Sequence, residues 1–108
     1  MKRGDLVRIA MQGDFGKPRP ALVIQADVFE EHANVTILPV TSTRVAAPLL
    51  RVTIRPSAEN GLRKTSQVMV DKTMTIKRDK ITAPFGSLDA DVMLEIERRL
   101  AVFLGIAK

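Results

Sequence analysis

Pro18-Arg19-Pro20-Ala21-Leu22-Val23-Ile24-Gln25 is the stretch on which the reading of the whole chain turns. Ala21 to Gln25 opens as a short continuous apolar run directly after a proline, the pattern of a buried strand. Ahead of it, Gln12 to Pro20 holds two glycines and two prolines and is expected to be a loop. Upstream, Leu6 to Met11 alternates loosely between Gly4 and Gly13 and reads as a first strand. Downstream, Asn34 to Val40 is rich in β-branched residues and reads as another.

Leu50 to Arg55 alternates cleanly, with Leu50, Val52 and Ile54 on one face and Arg51, Thr53 and Arg55 on the other, as in a strand with one wet face. Pro56 to Gly61 is a turn or loop, and Gln67 to Val70 gives a further strand leading into Asp71. Short strands this closely spaced and separated by turn signals imply a small barrel or a strongly bent sheet.

The period changes near the carboxy terminus. Val92, Met93, Ile96, Leu100, Phe103 and Leu104 recur at three- and four-residue intervals, while Asp91, Glu95, Arg98 and Arg99 fill the other face. That spacing predicts an amphipathic helix with Asp89 as N-cap and Gly105 just past its end. No repeat, low-complexity tract or linker interrupts the sequence. The expectation is one mainly β domain over 1–108 with a C-terminal α-helix.

Composition narrows the chemistry. At 108 residues, 45% hydrophobic and 27% charged, the chain suits one globular domain. The absence of cysteine excludes disulfides, thiolate metal sites and a thiol nucleophile. Four Phe without Trp or Tyr make a stacking platform for bases an unexpected feature. A net charge of +5 favours polyanionic or acidic partners. Met1-Lys2-Arg3-Gly4-Asp5 leads into polar sequence with no apolar signal region, and no apolar run reaches the ~20 residues a bilayer requires, so a cytoplasmic location is expected. P-loop, dinucleotide-fold, zinc-protease and nucleophile-elbow motifs are all absent.

Several residues carry possible chemistry. Prolines on both sides restrict the backbone around Arg19, which suits a pre-organised phosphate-binding guanidinium and equally a solvated turn. Thr41-Ser42-Thr43-Arg44 follows a strand end, where hydroxyls bind phosphate oxygens or cap their own backbone. Asp71, next to Lys72, fits a general base or a structural ion pair. His32 has no second histidine to build a site with and reads as a surface-loop residue.

In order along the chain, Lys2-Arg3-Gly4-Asp5-Leu6-Val7, Gly16 to Gln25, Leu38-Pro39-Val40-Thr41-Ser42, Val70 to Ile76 and Gly86-Ser87-Leu88-Asp89 resemble the successive motifs of the MazF/PemK toxin family. The resemblance spans nearly the whole chain. It implies an SH3-like small barrel of the CcdB/MazF type, a homodimer, and an mRNA interferase of a type II toxin–antitoxin system held in check by an acidic antitoxin. It further implies cleavage of single-stranded RNA without a cofactor or metal, through attack by the RNA's own 2′-hydroxyl.

By the same resemblance Arg19 and Thr41 match the family's catalytic pair, and Asp71 matches an acidic position used by some relatives. Lys17, Ser42, Arg44 and Lys72 are the accompanying RNA-binding candidates. Where some relatives carry an arginine before the acidic position, or a glutamine and an arginine after it, this chain has Met69, Lys72 and Met74. Two alternatives stand beside the ribonuclease: a CcdB-like gyrase poison without catalytic activity, and a non-catalytic RNA-binding module.

Overall fold

The computed structural model describes residues 1–10 and 17–107. Met11, expected to end the first strand, and Gln12 to Gly16 of the expected loop lie outside the described residues. The elements run β1 (Asp5–Ala10), β2 (Pro18–Val23), β3 (Asn34–Thr41), β4 (Arg51–Ile54), β5 (Ser66–Met69), β6 (Met74–Lys77), β7 (Gly86–Ser87) and α1 (Ala90–Phe103). Short 3-10 turns occupy Asp27–Phe29, Val70–Lys72 and Arg78–Lys80. The small-barrel expectation holds in its main features, while β6 and β7 were not anticipated from the sequence.

All strand pairs are antiparallel, in the order β4-β5-β3-β2-β1-β7, with β6 also paired to β3. β3 bends the sheet because it changes partner along its length. Its first half pairs with β6 (Asn34 to Ile37), and its last residues pair with β5 (Val40 with Val68, Thr41 with Gln67). Pro39 falls between the two ladders, where the Val70–Lys72 turn breaks the opposing strand. A residue with no N–H is well suited to that gap.

β2 starts three residues earlier than the expected Ala21, at Pro18, and ends at Val23. The carbonyls of Leu6 and Arg8 accept bonds from Phe85 and Thr82, each at 2.9 Å, so these β1 residues turn their backbone away from β2. Arg8 and Ala10 are the residues opposite Pro20 and Pro18, and the prolines therefore cost the β1 ladder nothing. Their missing donors fall on the side that faces β3. There the ladder stops at the Ala21–Pro39 pair, and the next hydrogen-bonded position would need an N–H from Pro20.

Both faces of the central strands are covered, which is why apolar residues fall on both sides of β1 and its alternation is only loose. Leu6, Leu22, Leu38, Val68 and Val70 pack with Met93 and Ile96 of α1. Val7, Ile9, Ala21, Val23, Val35 and Ile37 form a second cluster on the opposite face. α1 is capped as expected: the Asp89 carboxylate accepts the Val92 N–H at 2.9 Å. At its other end Gly105 has φ +76, and Ile106 and Gly105 donate back to the Ala101 and Val102 carbonyls, a Schellman closure. Phe103 and Leu104, expected on the apolar face, are 46% and 54% exposed. Among the described residues no helix is long and apolar enough to cross a membrane.

The β4–β5 loop is fastened by a buried amide. Asn60 Oδ1 accepts the Ser57 and Leu62 N–H groups at 3.0 and 2.9 Å, and its Nδ2 donates to the Arg55 carbonyl at 2.8 Å. Gly61, at φ +66, then passes so close to the 85–86 backbone that an added Cβ would stand 2.6 Å from the Phe85 carbonyl oxygen. A Cβ on Gly86 would in turn collide with the Asn60 carbonyl. Gly86→Ala is therefore expected to destabilise the fold by about 1–3 kcal/mol, the usual cost of overpacking. Urea unfolding should show a lower midpoint at unchanged slope, and an unchanged midpoint would mean that the two segments separate freely.

Candidate active site

Beyond the Ala21–Pro39 pair, β2 and β3 part and leave a cleft of about 260 Å³. Arg19 and Pro20 line it from β2, Thr41 and Ser42 from the end of β3, and Arg8 from β1. The β4–β5 loop adds Leu62, Arg63 and Lys64, and Phe85 forms another part of the wall. Cations and hydroxyls dominate the lining. No Asp or Glu is among the described residues that form it. Such a surface concentrates positive potential where it is concave, which draws in a polyanion.

Hydrogen bonds to the backbone fix the hydroxyl side of the cleft. Thr41 Oγ1 accepts the Thr43 N–H at 3.1 Å, a turn that leaves its own O–H available to donate. Gln67, buried opposite Thr41 on β5, grips the following loop: its Oε1 accepts the Val45 N–H at 3.0 Å and its Nε2 donates to the Val45 carbonyl at 3.1 Å. Farther along, the Arg99 guanidinium donates to the Pro48 carbonyl while pairing with Glu95 at 2.7 Å. The segment after Thr41 is thus tied to the sheet at one point and to α1 at another.

The sequence-derived candidates divide. Arg19, Thr41 and Ser42 come together in the cleft. Lys17, Arg44 and Lys72 are exposed and are not among its lining residues. Asp71 lies in the Val70–Lys72 turn, which packs against α1 rather than in the cleft. Its Oδ1 is buried without a hydrogen-bond partner among the described residues. His32 is exposed, as expected for a loop.

Arg8, Arg63, Lys64 and Phe85 were missed. The one available signal was Arg8 itself, a charge set inside the apolar run Leu6-Val7-Arg8-Ile9. Arg63 and Lys64 reach the cleft only through the long-range contact between Asn60-Gly61 and Phe85-Gly86, which no local pattern encodes.

A family model described as PemK-like, MazF-like toxin of type II toxin–antitoxin system matches residues 2–104. The chain belongs to that family. A relative from Mycolicibacterium smegmatis (strain ATCC 700084 / mc(2)155), named probable endoribonuclease MazF, is 44% identical over 108 residues, covering 99% of each chain. Among solved structures, an endoribonuclease in complex with its cognate antitoxin from Mycobacterial species is 27% identical, with TM-score 0.84 over 100% of this chain and 98% of that one. A MazE–MazF structure from Deinococcus radiodurans is 26% identical, with TM-score 0.79 over 99% of this chain and 97% of that one. Membership in the MazF-like family favours the ribonuclease over the gyrase-poison and binding-module alternatives.

Gln67→Leu tests how far this MazF-like cleft depends on its buried amide. The substitution leaves the Val45 N–H and carbonyl without their partners, which should cost about 1–3 kcal/mol. Amide exchange across residues 42–50 should accelerate beyond the global loss of stability. Uniform acceleration over the whole chain would show that Gln67 supports the core and not this loop.

Proposed function

We propose that this MazF-like toxin is an endoribonuclease that cuts single-stranded mRNA in the cleft between Arg19 and Thr41, through the RNA's own 2′-hydroxyl and without a metal ion. The observation that carries the reading is the meeting of Arg19 and Thr41 in one cation-lined cleft. Attack of the 2′-oxygen on the adjacent phosphorus forms a crowded dianionic transition state, and the bond to the 5′-oxygen then breaks. Arg19 offers a planar, permanently charged donor set to the non-bridging oxygens. Thr41, whose oxygen already accepts from Thr43, donates its own proton and fixes the orientation of the phosphate. In a cleft open to solvent the 2′-proton leaves to water, and the 5′-oxygen takes one up. Asp71 does not line the cleft and is given no role in this scheme.

Arg19→Ala is expected to keep the fold and lower cleavage at least ~100-fold, the scale of one lost transition-state contact. Thr41→Val should lose less, since a neutral hydroxyl contributes less than a fixed charge. Mapped ends should be a 2′,3′-cyclic phosphate and a 5′-hydroxyl, with or without chelator, and a 2′-deoxy sugar at the scissile position should block the cut. Near-normal activity in folded Arg19→Ala, or cleavage of the deoxy substrate, contradicts the scheme.

The proposal extends to assembly. The protein acts in the cytoplasm as a homodimer, in which two shallow clefts related by a two-fold axis offer RNA a longer track. An acidic antitoxin segment that folds on binding competes for the same cationic surface. The solved mycobacterial endoribonuclease in complex with its cognate antitoxin supports this reading, as does the MazE–MazF structure from Deinococcus radiodurans. Light scattering near micromolar concentration should give the dimer mass, and cognate antitoxin should displace RNA as it is titrated. A fully active monomer would defeat the dimer, and simultaneous tight binding of both ligands would defeat the competition.

A further inference from the structure

The Arg8 guanidinium lies over the Phe85 ring, 4.3 Å from its centroid. Both partners are fixed to the same strand edge. Arg8 is held through its backbone by Thr82, whose N–H donates to the Arg8 carbonyl at 2.9 Å and whose Oγ1 accepts the Arg8 N–H at 3.1 Å. Phe85 donates its N–H to the Leu6 carbonyl at 2.9 Å, and its ring meets the Gly61 turn on the loop that carries Arg63 and Lys64. The position of this cation is therefore set before any ligand arrives.

Stacking occupies one face of a guanidinium and leaves the N–H donors around its rim unused. Among the described residues Arg8 has no side-chain hydrogen bond and no ion pair, and no carboxylate lines the cleft beside it. Covering Phe85 would need only an apolar stem. Placing a guanidinium there adds a fixed cation to a cleft also lined by Arg63 and Lys64, and so strengthens its attraction for an anion.

We propose that Arg8, seated on Phe85, binds a backbone phosphate of the RNA next to the scissile one and so positions the substrate between Arg19 and Thr41. The inference rests on the reading of this cleft as the RNA-cleaving site. The planar rim of Arg8 suits two parallel bonds to one phosphate, a geometry a lysine cannot reproduce. Arg8 is a positioning residue, and it takes no part in proton transfer or bond cleavage.

The test begins by mapping a cut made by the wild-type protein in a long RNA. An oligonucleotide spanning that site, blocked by a 2′-deoxy sugar, then serves as the binding probe over a range of salt. Arg8→Met should weaken binding roughly 10-fold, the effect of losing a charge-assisted contact. It should flatten the slope of log K against log salt by about 0.7, the value for one phosphate contact to a single strand. With the unblocked oligonucleotide, KM should rise more than kcat falls. Arg8→Lys should restore the salt slope and only part of the affinity. Phe85→Leu should weaken binding without changing the slope.

A walk of single uncharged methylphosphonate linkages locates the contact. One linkage beside the scissile position should weaken wild-type binding and have no further effect in Arg8→Met. An Arg8→Met protein with wild-type affinity and slope, while the wild type still cuts RNA, overturns this inference alone. Losses that add to Arg8→Met at every linkage would likewise overturn it and assign Arg8 to a base or to the fold. A wild-type protein that neither cuts nor binds RNA overturns the reading of the cleft, and the role of Arg8 with it.

Discussion

Pro20 has no N–H to give to β3 at the position where the ladder of Leu22 and Leu38 would continue toward Val40. The cleft begins at that missing donor. On one side β2 remains bonded to β1 as far as Ala10, so Arg19 is held on a paired strand rather than on a loose loop. On the other, β3 crosses to β5, and Pro39 marks the change of partner along the opposite edge. Catalytic groups carried on paired strands are placed more accurately than groups on mobile loops. The same substitution of proline for a hydrogen-bonding residue thus opens the site and keeps its walls rigid.

Loops that complete the site are held by buried amides. Asn60 gathers the β4–β5 turn around its own side chain, and Gln67 ties Val45 to the sheet behind Thr41. Neutral groups suit this task, because a buried amide can satisfy backbone donors and acceptors together without the desolvation cost of an ion. A carboxylate in either place would also offset the positive potential on which the cleft depends. Charge is left at the surface and polarity is buried beneath it.

The fold was legible wherever burial set the pattern. Val52 and Ile54 are buried against exposed Thr53 and Arg55, as the alternation required, and the Asp89 cap and Gly105 closure of α1 follow local chemistry closely. Pro18 to Pro20 was misread as loop because local rules treat proline as a break, whereas the register puts both missing donors on an unpaired edge. Of the residues lining the candidate cleft, Arg19, Thr41 and Ser42 were legible through order and family likeness. Arg63, Lys64 and Phe85 were not, since they are brought in by the meeting of two glycines distant in sequence. Asp71 stood out in the sequence as an acid at a strand end, but the turn that interrupts the β5–β6 edge carries it toward α1 instead.

Cation clustering has a consequence for the folded chain as well as for its ligand. Arg8, Arg63 and Lys64 line one cleft, and their like charges repel as folding brings them together. The closely packed faces on either side of the sheet, and the glycine contact behind Phe85, supply the offset. A polyanion that enters the cleft then gains twice, from its own contacts and from relief of that repulsion. RNA and an acidic protein segment both satisfy this electrostatic demand, but only RNA brings a 2′-hydroxyl next to a phosphate. A field that favours one polyanion therefore favours the other, and chemistry rather than affinity separates the two.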